Sequence, residues 1–205
     1  KYWMHGSHLL VEGKKMSKSL GNFFTLRDLL DRGFSGREIR YLMLSAYYRE
    51  QFNFTLDGLS GARSALGRLD ECVHKLREIA GRVTAGFEPG IVVQFEAALD
   101  EDLNVSAAWG AVFEWVREKN KALADGSIAA VDAAAALAAW ERINSVLGIA
   151  ELEVEVPAEI QALADERQAA RKAKDFARSD KVRDQLAERG WVIEDTPKGP
   201  RVKRA

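Results

Sequence analysis

From Leu59 to Val83 the apolar residues Leu59, Ala62, Leu66, Leu69, Val73, Leu76, Ala80 and Val83 recur in alternating steps of three and four. That rhythm predicts one long amphipathic helix with a single apolar seam. A seam of this kind must be covered, and two partners follow it: Val105 to Leu123, with Trp109, Val112, Phe113 and Val116, and the alanine-rich stretch Ile128 to Leu147. The expected architecture is an antiparallel helical bundle. Trp109, Trp115 and Trp140 fall on these helices and read as bundle core or rim rather than as a stacking platform. Ahead of the bundle, Thr25 can cap a helix through Leu26, Leu29 and Leu30 that Gly33 ends. Ser35 and Glu38 form a capping box before Ile39, Leu42, Met43, Ala46 and Tyr47, which recur at helical spacing. Tyr2 to Val11 alternates loosely, which suits a short strand or two.

The pattern changes at Glu151. "ELEVEVPAE" alternates acidic and apolar residues up to Pro157, a residue suited to the first turn of a new helix, and reads as a domain junction. Beyond it, Ala158 to Lys172 and Asp175 to Glu188 predict a helical pair. Gly190 stops the second helix before the strand-like "WVIED", and "DTPKGP" is turn chemistry. Arg201 to Arg204 can return as a second strand or trail as a basic tail. The chain is thus expected to be mainly α, closed by a small α+β module.

Composition narrows the class. Across 205 residues, 47% are hydrophobic and 30% charged, a globular balance without a membrane-length apolar run. Lys1 to Leu10 has neither the basic head nor the apolar core of a secretion signal, and the chain starts without Met, as a fragment would. Cys72 stands alone among the cysteines, and with His5, His8 and His74 it shows no paired spacing for zinc; a reducing cytoplasm fits. The net charge of −1 conceals basic ends, residues 1–50 and 161–205, around an acidic middle. Such an arrangement suits either a polyanion touched at two places or ordinary solvated helix faces.

The chemistry concentrates in "GKKMSKSLGN", Gly13 to Asn22. Glycines near both ends let the segment move. Lys15 and Lys18 bring mobile point charges, and the Ser17 and Ser19 hydroxyls can donate to phosphate oxygens, so a triphosphate suits it. Met16 can anchor the segment to the body of the protein. Lysines that strengthen their contacts as charge builds on departing pyrophosphate would lower a barrier rather than tighten ground-state binding.

The pentapeptide KMSKS, within "YWMHGSHLLVEGKKMSKSLGNFFTLRDLL", resembles the second signature of class I aminoacyl-tRNA synthetases and, in its flanks, the cysteinyl-tRNA synthetase family. "IRYLMLSAYYREQFNF", "DEDLNVSAAWGAVFEWVRE" and "RKAKDFARSDKVRDQLAERGWVIEDTPKG" resemble the same family in the same order, so the likeness covers nearly the whole chain. It implies the end of a class I catalytic domain with the KMSKS loop at 1–24, a helical connector at 25–56, a DALR-like bundle at 57–150 and an anticodon-binding module at 157–205. It further implies that Lys18 contacts ATP while Lys15 and Ser17 assist loop closure, and that Arg171, Asp180 and Asp195 read the anticodon. An arginine can fork onto guanine O6 and N7, and a carboxylate can accept from a base amino or imino edge. On residue chemistry alone, Arg171 and Asp180 would read as a surface ion pair.

The resemblance implies cysteine, ATP with Mg and the cysteine-specific tRNA as ligands of a cytoplasmic, monomeric parent enzyme. Two features of the family are missing from these residues: a HIGH-type motif and the zinc ligands that select the substrate thiol. Both are expected upstream, which would leave the chain unable to activate cysteine alone. Val202 stands where the family usually places Trp. Alternatives are a stand-alone tRNA-binding protein, a helical adaptor, and a ligase joining cysteine to an aminosugar in mycothiol synthesis, which also carries KMSKS but lacks the terminal module.

Overall fold

The computed structural model describes residues 3, 9–150, 156–196 and 199–204. They form two compact units, Lys1–Ala150 and Glu151–Ala205. The first unit starts with strands β1 (Leu10–Val11) and β2 (Lys14–Lys15), followed by helices α1 (Leu26–Asp31) and α2 (Gly36–Leu44) and strand β3 (Asn53–Phe54). Strand β1 is central, antiparallel to β2 and parallel to β3. The strand expected across Tyr2 to Val11 is present at its end; residues 1, 2 and 4–8 lie outside the described residues.

Both short helices begin where local chemistry directs them. Thr25 accepts from the Asp28 amide while the Asp28 carboxylate accepts from the Thr25 amide, and Ser35 and Glu38 repeat the exchange. These reciprocal bonds satisfy amides that a helix start leaves without partners. Leu29, Ile39 and Leu42 are buried with Val11 and Phe54 in a small core. Leu26, Leu30 and Met43 are exposed.

Helix α2 is shorter than its sequence pattern suggests, ending at Leu44 with Ser45 as its cap. Tyr47 therefore lies beyond the helix rather than on its apolar face. Its hydroxyl donates to Asp102 Oδ2 at 2.6 Å, Tyr48 donates to Oδ1 at 2.7 Å, and Arg49 binds the same carboxylate. Three consecutive side chains thus meet one carboxylate where the sequence pattern would have continued the helix. Arg49 first, then the two tyrosines, hold the Asp102 carboxyl well below the usual carboxylate range.

Helix α3 (Leu56–Ala80) carries the predicted seam, with Leu59, Ala62, Leu66, Leu69, Val73, Leu76 and Ala80 all buried. It ends at Gly81, φ 57°, so Val83 falls outside it and is exposed. Leu59 and Ala62 belong to the small core, whereas Leu66 onward belong to the bundle core. The bundle is completed by α4 (Pro89–Asp100), α5 (Val105–Asp125) and α6 (Ala130–Leu147). Trp109, Trp115 and Trp140 are buried there. Strand β3, inside the stretch 25–56 read as a helical connector, was not expected from sequence, nor was helix α4, which buries Ile91, Val92 and Phe95 against α5 and α6.

Arginines fasten α2 to this bundle. Arg37 makes a two-pronged ion pair with Asp70 at 2.7 Å on each prong and donates to the Ile149 carbonyl, while Arg40 donates to the Leu147 carbonyl at 2.6 Å. Arg40 thereby satisfies a carbonyl that the end of α6 leaves open and complements the helix dipole, while Arg37 binds the chain just past the cap.

The second unit pairs α7 (Ala158–Lys172) with α8 (Phe176–Glu188) and ends in the antiparallel hairpin β4 (Trp191–Thr196) and β5 (Gly199–Arg204). Residues 201–204 return as a strand, not a tail. Pro157 is the cap preceding α7 rather than a residue of its first turn. Ile160, Ala164, Val182, Leu186, Trp191 and Ile193 form the core, with half-buried Val202 packed on it.

Candidate functional site

The lysine-rich loop is carried by the β1–β2 hairpin. Glu12 and Gly13 have φ of 51° and 73°, the double positive geometry that a tight two-residue reversal requires. The Gly13 amide donates to Asn53 Oδ1 at 2.8 Å, and the Glu12 carboxylate accepts from the Leu56 amide at 3.2 Å. The turn is thereby tied to β3 and to the start of α3. Past β2 the chain reverses again, with the Gly21 amide donating to the Lys18 carbonyl at 3.2 Å and Gly21 at φ 66°.

Between the two turns the predicted residues stand close in sequence but differ in support. Lys15 is exposed on edge strand β2 and Lys18 on the tip, its Nζ 5.5 Å from the centre of the Phe23 ring. Ser17 is half-buried, with its Oγ 2.7 Å from that of Ser19. Met16 packs on the small core, which is the anchoring its sequence position suggested. Among the described residues no carboxylate pairs with Lys14, Lys15 or Lys18. Three uncompensated ammonium groups beside two hydroxyls can bind a polyphosphate by charge and by donated hydrogen bonds.

The second cluster lies in the terminal module. Arg171, in the last turn of α7, pairs with Asp195 on β4. Arg167, one helical turn earlier and only 6% exposed, grips both oxygens of the same carboxylate, at 2.7 and 3.0 Å. The Arg167 hydrogen bonds are the main reason the Asp195 carboxyl sits below its ordinary range, with the charges of both arginines adding to them. Asp180 is exposed on α8 and pairs with Arg183 at 3.1 Å. The structure thus joins Arg171 to Asp195, and the surface-pair reading of Arg171 with Asp180 gives way to two other pairs. Arg167 was not singled out from sequence. Its signal was its spacing of four from Arg171, which puts both guanidinium groups on one helix face.

Cys72 is buried, and burial pushes its thiol up to about 11, leaving it unreactive. Among the described residues no three His, Cys, Asp or Glu side chains gather as a metal site, so zinc finds no ligand set there. Nor is any described helix long and apolar enough to cross a membrane.

Comparison with known proteins matches each part of the chain. Residues 1–64 match the family described as tRNA synthetases class I (C) catalytic domain, 94–151 the DALR domain, and 153–202 the cysteinyl-tRNA ligase anticodon binding domain. A cysteine–tRNA ligase of Chlamydia caviae is 42% identical over 212 residues, covering 100% of this chain and 44% of the relative. One from Chlamydia abortus is 43% identical over 213 residues, with the same shares covered, and one from Protochlamydia amoebophila is 39% identical over 209 residues, covering 98% of this chain and 44% of the relative. The chain therefore spans less than half the length of these relatives and corresponds to their C-terminal part. With three successive domains of one enzyme matched in order, the chain belongs to the cysteine–tRNA ligase family of class I aminoacyl-tRNA synthetases.

Proposed function

We propose that the chain serves ATP-dependent attachment of cysteine to its cognate tRNA, as the part of the ligase that bears the KMSKS loop and the anticodon module. The observation that carries this reading is the hairpin-borne loop whose Lys15 and Lys18 are exposed without carboxylate partners among the described residues. In the reaction, Lys18 contacts the triphosphate, accompanied by Mg, and Lys15 and Ser17 assist as the loop closes. Charge developing on pyrophosphate as cysteinyl adenylate forms is then met by ammonium groups that no carboxylate among the described residues pairs with. Zinc belongs to the thiol-selecting part of the enzyme, outside these residues.

The other end of the chain carries tRNA selection. Arg171 offers a guanidinium already oriented by Asp195, and Asp180 supplies a further acceptor on α8. The working division is the catalytic remnant at 1–24, a connector at 25–56, the bundle at 57–150 and the anticodon module at 157–205, in a cytoplasmic, monomeric parent enzyme. Fluorescence titration of the chain with cognate and non-cognate tRNAs over a salt series tests tRNA selection. Cognate tRNA is expected to bind more tightly, and Arg171→Ala is expected to erode that preference by about 1–3 kcal/mol. Uniform weakening across all tRNAs would replace base reading with backbone contact, and no tRNA binding at all would refute the reading.

A further inference from the structure

Asn22 closes the stretch that carries the lysines, and its carboxamide is fully engaged. Oδ1 accepts from the Ser17 amide at 2.9 Å, while Nδ2 donates to the Lys15 carbonyl at 3.1 Å and the Val11 carbonyl at 3.3 Å. Val11 is completely buried on the central strand. One half-buried side chain therefore bridges the sheet core to the backbone on both sides of Met16. The orientation is fixed by chemistry, because a reversed amide would face an N–H donor with NH2 and two carbonyls with oxygen.

The clip divides the motif. Lys15 to Ser17 is held from both sides, whereas Lys18 to Gly21 projects beyond the clip, its contacts local: the Gly21 to Lys18 turn bond at 3.2 Å, the Ser17–Ser19 hydroxyl bond at 2.7 Å and the Phe23 ring near Lys18. We infer that Asn22 is a positioning residue that fixes the Lys15 half of the motif in place and leaves the Lys18 half free to close on a polyphosphate. This rests on the phosphate-gripping role proposed for the loop. Asparagine is required because the position needs donors and an acceptor on one short side chain. Aspartate keeps the shape but sets a carboxylate against two carbonyls, and alanine removes every bond.

The test uses the whole 205-residue chain and its Asn22→Ala and Asn22→Asp variants. Amide hydrogen exchange read by NMR should accelerate at Ser17 by about tenfold or more in both, with the amides of α3 unchanged as evidence of intact folding. Unchanged exchange at Ser17 would overturn the clip. Binding of magnesium tripolyphosphate then separates positioning from bulk stability through double-mutant cycles. Asn22→Ala should weaken binding several-fold and make a further Lys15→Ala nearly silent, while Lys18→Ala should retain its full separate effect. Equal coupling to both lysines, or to neither, would refute the division. Should the parent chain bind no tripolyphosphate, the phosphate role of the loop falls, and the Ser17 exchange result still decides whether Asn22 is the clip.

Discussion

The two cationic sites of this protein are built in opposite ways. In the loop, lysines stand on a small hairpin with no carboxylate partner among the described residues, held through the backbone by Asn53, Glu12 and Asn22. In the terminal module, Arg167 and Arg171 converge on Asp195, and Arg167 is buried. A free ammonium on a flexible stem keeps its full charge for a polyanion and loses rotamer freedom only when that ligand arrives. A guanidinium locked by a carboxylate has already lost that freedom and presents a set direction, at the expense of net charge. The first construction suits a transient, strongly charged group; the second suits discrimination among neutral base edges.

That contrast yields graded expectations. The largest effect should come from Lys18→Ala in a full-length ligase carrying this chain: adenylate formation, followed by pyrophosphate exchange, should fall by about 10², close to 2.7 kcal/mol, with tRNA affinity nearly intact. Equal loss of both would erase the distinction between the sites. Asp195→Asn should come next, lowering the stability of the terminal unit by about 1–3 kcal/mol in denaturant unfolding because Arg167 stays buried with a weaker partner.

A pH dependence should accompany it. The folded Asp195 carboxyl titrates below its unfolded value, so its contribution is present above about pH 4 and is lost as the pH falls through the folded value. Acid unfolding of the module should lose part of its pH slope in Asp195→Asn. The smallest effect belongs to Arg183→Ala, whose pair with Asp180 is solvent-exposed and adjacent on the same helix. A stability change within about 0.5 kcal/mol is expected by the same unfolding measurement.

What the sequence reveals follows the range of the forces involved. The Thr25 cap, the Ser35 capping box and the α3 seam were legible because their partners lie within a few residues, although the reciprocal bond from Asp28 that completes a box at Thr25 was not. Helix α4 was not, since Glu88 offers no side-chain cap and exposed Val93 beside buried Ile91, Val92 and Phe95 blurs the stripe. Tyr47 fitted the helical rhythm of α2, yet Asp102, fifty-five positions away, draws it into another role. Distance in sequence also hid Arg167: its partner Asp195 lies twenty-eight residues on and across a turn. The loop's residue types were evident as chemistry, but the side chain that staples them was visible only once the backbone carbonyls of Val11 and Lys15 had positions.

Helix α3 has a consequence of its own. Its 25 residues make a strut of about 37 Å that passes from one hydrophobic core into the next without a break. Neither core can be rebuilt in isolation, because the angular phase between them is set by a whole number of residues. Inserting a single alanine between Arg63 and Ser64 would swing everything on the Leu59 side by about 100° relative to everything on the Leu76 side, a misalignment that no side-chain rotamer could absorb.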